Sequence, residues 1–290
     1  MIEIKYHKGF VPTYPVDKKS FEDKTHMEFP YAQKDNYYAL CPICENPVIL
    51  LGLKKPILNK KPHARHSKYD VEGINDFEEI KYEKCPNHKK TSNYILETRN
   101  ETAESIELYH LARENFDKII YLIRQYLPII ISTNDAKRLL KYFMTHKGWT
   151  YPNANEHNLW LMFLDTMHGI DLFGKLVKKD TSLYHFLQQN KSVHLVDNKD
   201  NTAKILNKDG CFVDLNLIVT EIWYSTDNAD NLVNHFEYVV GEHDKWGTYN
   251  TVFSDKKNAD YYHFTHLVHS KKAYKNKALL DIAKEIMPLR

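Results

Sequence analysis

Cys41-Pro42-Ile43-Cys44, followed at once by Glu45-Asn46-Pro47-Val48-Ile49-Leu50-Leu51-Gly52-Leu53, is the stretch from which the organisation of the chain is read. Two thiols three positions apart around a proline form half of a metal knuckle. The apolar run behind them reads as a short strand leaving it, with Gly52 as a bend. A second knuckle, Cys85-Pro86-Asn87-His88, repeats the same step. Together Cys41, Cys44, Cys85 and His88 make a Cys3His set, which satisfies a tetrahedral Zn2+ with no position left for water or substrate. The expected cofactor is therefore a structural zinc ion. His63 and His66 lie between the knuckles, and either can replace His88 if the intervening segment folds back.

Around the knuckles, residues 1–40 carry Pro12, Pro15 and Pro30 among scattered aromatics, which predicts extended, irregular backbone. The interval between the knuckles is long for a minimal zinc ribbon and reads as an insertion. It opens with Lys54, Lys55, Lys60, Lys61, Arg65 and Lys68 and no acid. Such a run can hold a phosphate backbone or an acidic protein face. Asp70, Glu72, Asp76, Glu78, Glu79 and Glu83 follow against Lys81 alone, so the two halves can also pair with each other, within one chain or between subunits, the reading favoured here.

Further along, Thr98-Arg99-Asn100-Glu101 has the form of a capping box. Apolar residues from Leu108 to Leu127 then recur near the helical period until Pro128. Thr133 can cap a second helix ending at Lys147-Gly148, Asn155 starts a third, and Ser182–Gln189 makes a fourth. After Asn190 the pattern alternates, predicting strands over Val193–Val196, Ala203–Leu206, Phe212–Tyr224, Asn234–Val240 and Tyr261–Val268, then a helix over Lys277–Met287. The expected class is α+β: a zinc-ribbon-like unit over 1–97, a helical bundle over 98–190, and an antiparallel sheet with a terminal helix over 191–290.

Composition narrows the function. Among 290 residues, 40 basic side chains stand against 38 acidic ones, a net charge of +2, so the molecule as a whole is not committed to polyanions. No stretch approaches the ~18 apolar residues that cross a bilayer, and the N-terminus lacks an apolar core, so a cytoplasmic protein is expected. Four cysteines in a reducing compartment point to metal before disulfide.

Other chemistry is thinly represented. His263, His266 and His269 fall on a predicted strand, where a three-residue step alternates faces, so packing is the better account. Cys211 reads as a small residue buried at a strand entrance. Asp214 and Glu221 suggest the acids of a metal nuclease, yet their spacing opposes them on a strand and Glu221-Ile222-Trp223 lacks the lysine commonly found there. P-loop, dinucleotide, esterase and zincin motifs do not occur, and a zinc deaminase requires its histidine ahead of the CxxC.

The order CPIC, Lys61-Pro62-His63-Ala64-Arg65-His66, Val71-Glu72-Gly73-Ile74 and CPNH resembles a family of poorly characterised zinc-knuckle proteins of bacterial chromosomes and prophages. The likeness spans about residues 37–90, with an echo in Leu159-Trp160 and Phe173-Gly174. In length and character the chain is similar to phage proteins that block host defence, such as the Gabija inhibitor. That resemblance implies a homo-oligomeric protein in the host cytoplasm that occupies the surface of a bacterial defence complex. The twenty tyrosines suit such a contact surface. On this reading the protein is not an enzyme. The alternatives are a zinc-ribbon nucleic-acid binder using the 54–68 run and a cryptic metal-dependent nuclease.

Overall fold

A computed structural model of the chain describes residues 1–57, 61–83, 85, 87–88, 92–93, 100–211, 214–229, 231–243, 249–270 and 274–290. The fold is mixed α+β with several antiparallel strand pairings. Two compact units divide it. The first comprises Met1–Ser92, Tyr224–Val233 and Asp260–Lys271; the second comprises Asn93–Trp223, Asn234–Ala259 and Lys272–Arg290. Both are discontinuous in sequence, where the sequence reading has three consecutive segments.

The first unit begins with β1 (Glu3–Ile4), β2 (Tyr14–Pro15) and α1 (Lys18–Thr25), then β3 (Ala32–Gln33), β4 (Asn36–Leu40), β5 (Pro47–Leu51), β6 (His63–His66) and α2 (Glu79–Glu83). The proline-rich start is thus more regular than expected. Asp17 caps α1 by accepting from the Ser20 amide at 2.8 Å, and the helix buries Phe21. Removing a phenyl ring of that size from water stabilises by about 2–3 kcal/mol.

The sheet order is β3-β4-β5-β6. Register sets its two faces, because directly opposed residues share a side. Ala39, Val48 and His66 stand in one row and Leu50 and Ala64 in the next, all on the inner face. Tyr38, Ile49 and Arg65 form a row on the other face, followed by Leu51 and His63. The inner face packs on Ile4, Tyr6, Val16 and Phe21, and the sulfurs of Cys41, Cys44 and Cys85 belong to this same core.

From β7 (Ser92–Asn93) the chain continues through α3 (Ala103–Glu114), α4 (Phe116–Tyr126), α5 (Thr133–Thr145), α6 (Leu159–Asp165), β8 (Ile170–Asp171), β9 (Leu176–Lys178), α7 (Ser182–Gln189), β10 (Val193–Asp197) and β11 (Thr202–Asn207). The expected long helix is two. Asn115 interrupts it with φ −124° and ψ 24°, its amide donating to Leu111 O at 3.1 Å while its carbonyl accepts Lys118 Nζ at 3.0 Å. An asparagine side chain that bonds nearby backbone competes with the helix in this way.

Thr98 lies outside the described residues, and the capping box belongs to Thr102 and Ser105 instead. In α5 the cap is Ser132, with Asp135 reaching back to its amide, one residue earlier than expected. Phe143 stacks on Phe163 with centroids 3.9 Å apart, and a Cβ on Gly148 would come within 2.4 Å of the Phe143 ring, so only glycine fits there.

The long strands β12 (Asn216–Thr226), β13 (Leu232–His243) and β14 (Tyr249–Asp260) follow in the sheet order β14-β13-β12-β7. Then come α8 (His263–His269) and α9 (Lys277–Ile286). The strand expected at Tyr261–Val268 is therefore a helix. Asp260 accepts the Tyr262 amide at 2.9 Å at its start, while Tyr261 and Phe264 are fully buried in a helical phase. Phe212 and Val213, expected to begin β12, lie outside the described residues.

Candidate metal centre

The first knuckle is built by local hydrogen bonds. The Glu45 amide donates to Cys41 O at 3.0 Å and the Cys41 amide to Asn46 O at 2.9 Å, a turn tight enough to place Glu45 at φ +56°. Both sulfurs then point the same way into the core. The Glu45 carboxylate accepts from the Gly9 amide at 2.7 Å and faces the fully buried Lys5 amine at 3.6 Å, which ties the knuckle to the N-terminal segment. At the second knuckle the Cys85 amide donates to Tyr82 O at the end of α2, and the His88 amide donates to Cys85 O.

Cys41, Cys44 and Cys85 converge as their spacing predicts, and the imidazole that joins them is His66. The four donor atoms lie within 4.8 Å of one another, with Cys41 Sγ 3.7 Å from Cys85 Sγ and Cys44 Sγ 3.3 Å from His66 Nε2. A tetrahedral ion with roughly 2.3 Å bonds to sulfur sets its sulfurs about 3.8 Å apart and a sulfur–nitrogen pair slightly closer. These two pairs are close to that spacing. The four donors form the only cluster of this kind among the described residues.

His88, the expected fourth donor, lies elsewhere. Its ring stacks on Tyr82 with centroids 4.0 Å apart, and Tyr82 in turn meets the edge of His66 at 5.2 Å. Strand pairing decides the exchange. His66 pairs with Val48 on the inner face of β6, whereas His63 pairs with Leu51 on the outer one and bonds Lys61 O at 3.0 Å. The odd step between the two histidines, with apolar Ala64 two residues before His66 and so on its face, was the available signal.

The site is dry. Cys41 is 0 %, Cys85 1 % and Cys44 6 % exposed. At Cys41 burial raises the thiol, but hydrogen bonds with Cys44, Cys85 and His66 overcome it and hold that sulfur well below the ordinary thiol value. Cys44 and Cys85 are pushed up, in each case first by the hydrogen bond with Cys41. Three thiolates together in such a place need a cation.

Polar neighbours spread the remaining charge. Asn46 Nδ2 donates to Cys44 Sγ at 3.4 Å and to Glu78 O, while Asn87 Nδ2 donates to Cys41 Sγ at 3.6 Å. Tyr262, from the start of α8, is buried beside them: burial pushes its hydroxyl well above the usual phenol value, the charge on Cys41 adds to this, and the Asn87 side chain opposes it as a hydrogen-bond partner. Sequence reasoning did not find these three. Asn46 and Asn87 adjoin the knuckles, but Tyr262 comes from far along the chain.

The remaining candidates do not gather. His266 bonds Glu3 at 3.3 Å and Thr13 at 3.2 Å, and Glu3 raises its pKa; His269 lies against Phe10. Cys211 is exposed after the Gly210 turn, contrary to its expected burial. Asp214 accepts from Asn216 at 3.2 Å ahead of β12, and Glu221 is exposed.

Of the basic run, Lys54 pairs with Asp35 at 3.5 Å and Lys68 lies 5.0 Å above the Tyr82 ring. Lys60 lies outside the described residues. Lys55, Lys61 and Arg65 are exposed, and among the described residues no ion pair joins this run to the acids at 70–79. Within one chain, the expected charge pairing does not form among the described residues.

No helix among the described residues is long and apolar enough to cross a membrane. Comparisons with protein-family models, curated proteins and solved structures find no match.

Proposed function

We propose that the chain is a non-enzymatic binding protein whose first unit is zinc-ribbon-like and braced by one structural Zn2+ on Cys41, Cys44, His66 and Cys85. The supporting observation is a four-donor Cys3His group, with three buried thiols and a half-buried imidazole, whose donor atoms lie within 4.8 Å of one another. Three soft thiolates and an imidazole at that spacing suit zinc above harder cations, and four protein donors leave no position at which water or substrate is activated. The ion contributes folding free energy in place of reactivity. It joins a turn, a sheet strand and the segment after α2.

Two measurements test this. Elemental analysis of protein purified without chelator gives one zinc per chain; folded protein without stoichiometric metal overturns the assignment. Incubation with plasmid and Mg2+ or Mn2+ gives no cleavage beyond buffer. Cleavage that Asp214→Asn removes would establish the nuclease alternative.

A further inference from the structure

We propose that the outer face of the β4–β5–β6 sheet binds single-stranded nucleic acid. The inference rests on reading the chain as a binding protein and supplies the chemistry of its partner. Register places Tyr38, Ile49 and Arg65 side by side across three strands, with Leu51 and His63 in the next row. Lys61 precedes His63 by two residues. His63 and Arg65 share one face of β6 at a step of about 6.7 Å, and Lys61 stands just ahead of the strand.

One end of the hairpin extends the charge. Gly52 packs against Pro62, its Cβ position 3.2 Å from the proline Cα, so the β5–β6 connection closes at its base and carries Lys54 and Lys55 to the same end as Lys61. Lys68 lies over Tyr82 on the side of His66 and is not part of this face. Lys55, Lys61 and Arg65 have no anionic partner among the described residues.

An aromatic ring and two half-buried aliphatic side chains flanked by such cations are what single strands use: phosphates meet the charges and unstacked bases lie on the rings. A duplex keeps its bases stacked and would leave Tyr38 without that role. The acids Asp70, Glu72 and Asp76 come after the strand, around the Val71–Asn75 turn, and do not enter the Tyr38–Ile49–Arg65 row.

The test is fluorescence anisotropy of a labelled 20-nucleotide thymidine strand against the whole chain, with its duplex and poly-glutamate as competitors and zinc content measured on every sample. The single strand should bind at low salt, with log K falling linearly against log[salt] at a slope of about −2 to −3, for three to four phosphates at roughly −0.7 each. Lys61→Glu with Arg65→Glu should weaken binding at least tenfold and flatten the slope by about 1.4. Tyr38→Leu should weaken it about tenfold with the slope unchanged. All variants should keep one zinc.

Zinc-loaded wild-type protein that ignores the strand, or a double reversal that binds as tightly as wild type, overturns the proposal and leaves the structural-metal assignment standing. Tighter binding of the duplex overturns the single-strand choice. Competition by poly-glutamate as strong as by the strand identifies an acidic protein face as the partner instead.

Discussion

In the first unit three sulfurs sit inside a core of mostly small and aliphatic side chains, while in the second Phe116, Phe143, Phe163 and Trp160 fill the space between helices without help. Ring packing of the second kind needs no ligand: α3, α4, α5, α6 and α9 meet over apolar surface, and Arg113 and Tyr109 fasten the chain end by bonds to Met287 O and Pro288 O. The first unit instead draws its donors from positions 41, 44, 66 and 85, and their sulfurs lie within its apolar core. Metal dependence should therefore be confined to one part of the molecule.

The sharpest way to break that contrast is to remove a sulfur. Cys41→Ser or Cys85→Ser should abolish stoichiometric metal and unfold the first unit, since structural zinc supplies on the order of 10 kcal/mol in small domains. Hydrogen exchange should show protection lost over 1–83 and 260–270 and kept over α4, α5 and α6. Equal loss in both regions would dissolve the distinction.

The reverse experiment acts on the rings. Phe143→Ala should cost about 3–5 kcal/mol by removing a stacked, fully buried side chain. Unfolding followed by circular dichroism should detect it, with the metal content of the folded protein unchanged.

Asp135 tests the second unit by charge. Its carboxyl is held below the usual carboxylate range: burial raises it, but Lys175 at 2.6 Å and Ser132 overcome that. A depressed folded-state pKa contributes stability that is fully present above the unfolded value of about 3.9 and is lost as pH falls through the folded one. Asp135→Asn should then destabilise by about 1–3 kcal/mol at pH 7, with the difference fading below about pH 4. A difference independent of pH would assign the loss to packing alone.

The smallest effects lie around the metal. Asn87→Ala, losing its donor to Cys41, should lower metal affinity about tenfold by chelator competition. His88→Ala should keep one metal per chain and cost at most about 1 kcal/mol of ring stacking on Tyr82.

Three of the four donors were legible because knuckle spacing is local. The fourth depended on β6 pairing with β5, which sequence spacing does not state, and the repeated three-residue step drew attention to His88 instead. Asn115 divided the predicted helix through a side-chain bond that periodicity does not register. The Tyr- and His-rich stretch at 261–269 favoured a strand by composition, although Asp260 was an available helix-start signal. Tyr262 beside the sulfurs was illegible, since only tertiary folding brings it there.

Zinc-edge X-ray absorption on the protein as purified tests the central claim most directly. The account predicts three sulfurs at about 2.3 Å and one nitrogen at about 2.0–2.1 Å, with the nitrogen lost in His66→Ala and kept in His88→Ala. A water oxygen in the wild-type coordination shell, or a nitrogen that disappears with His88, would contradict it.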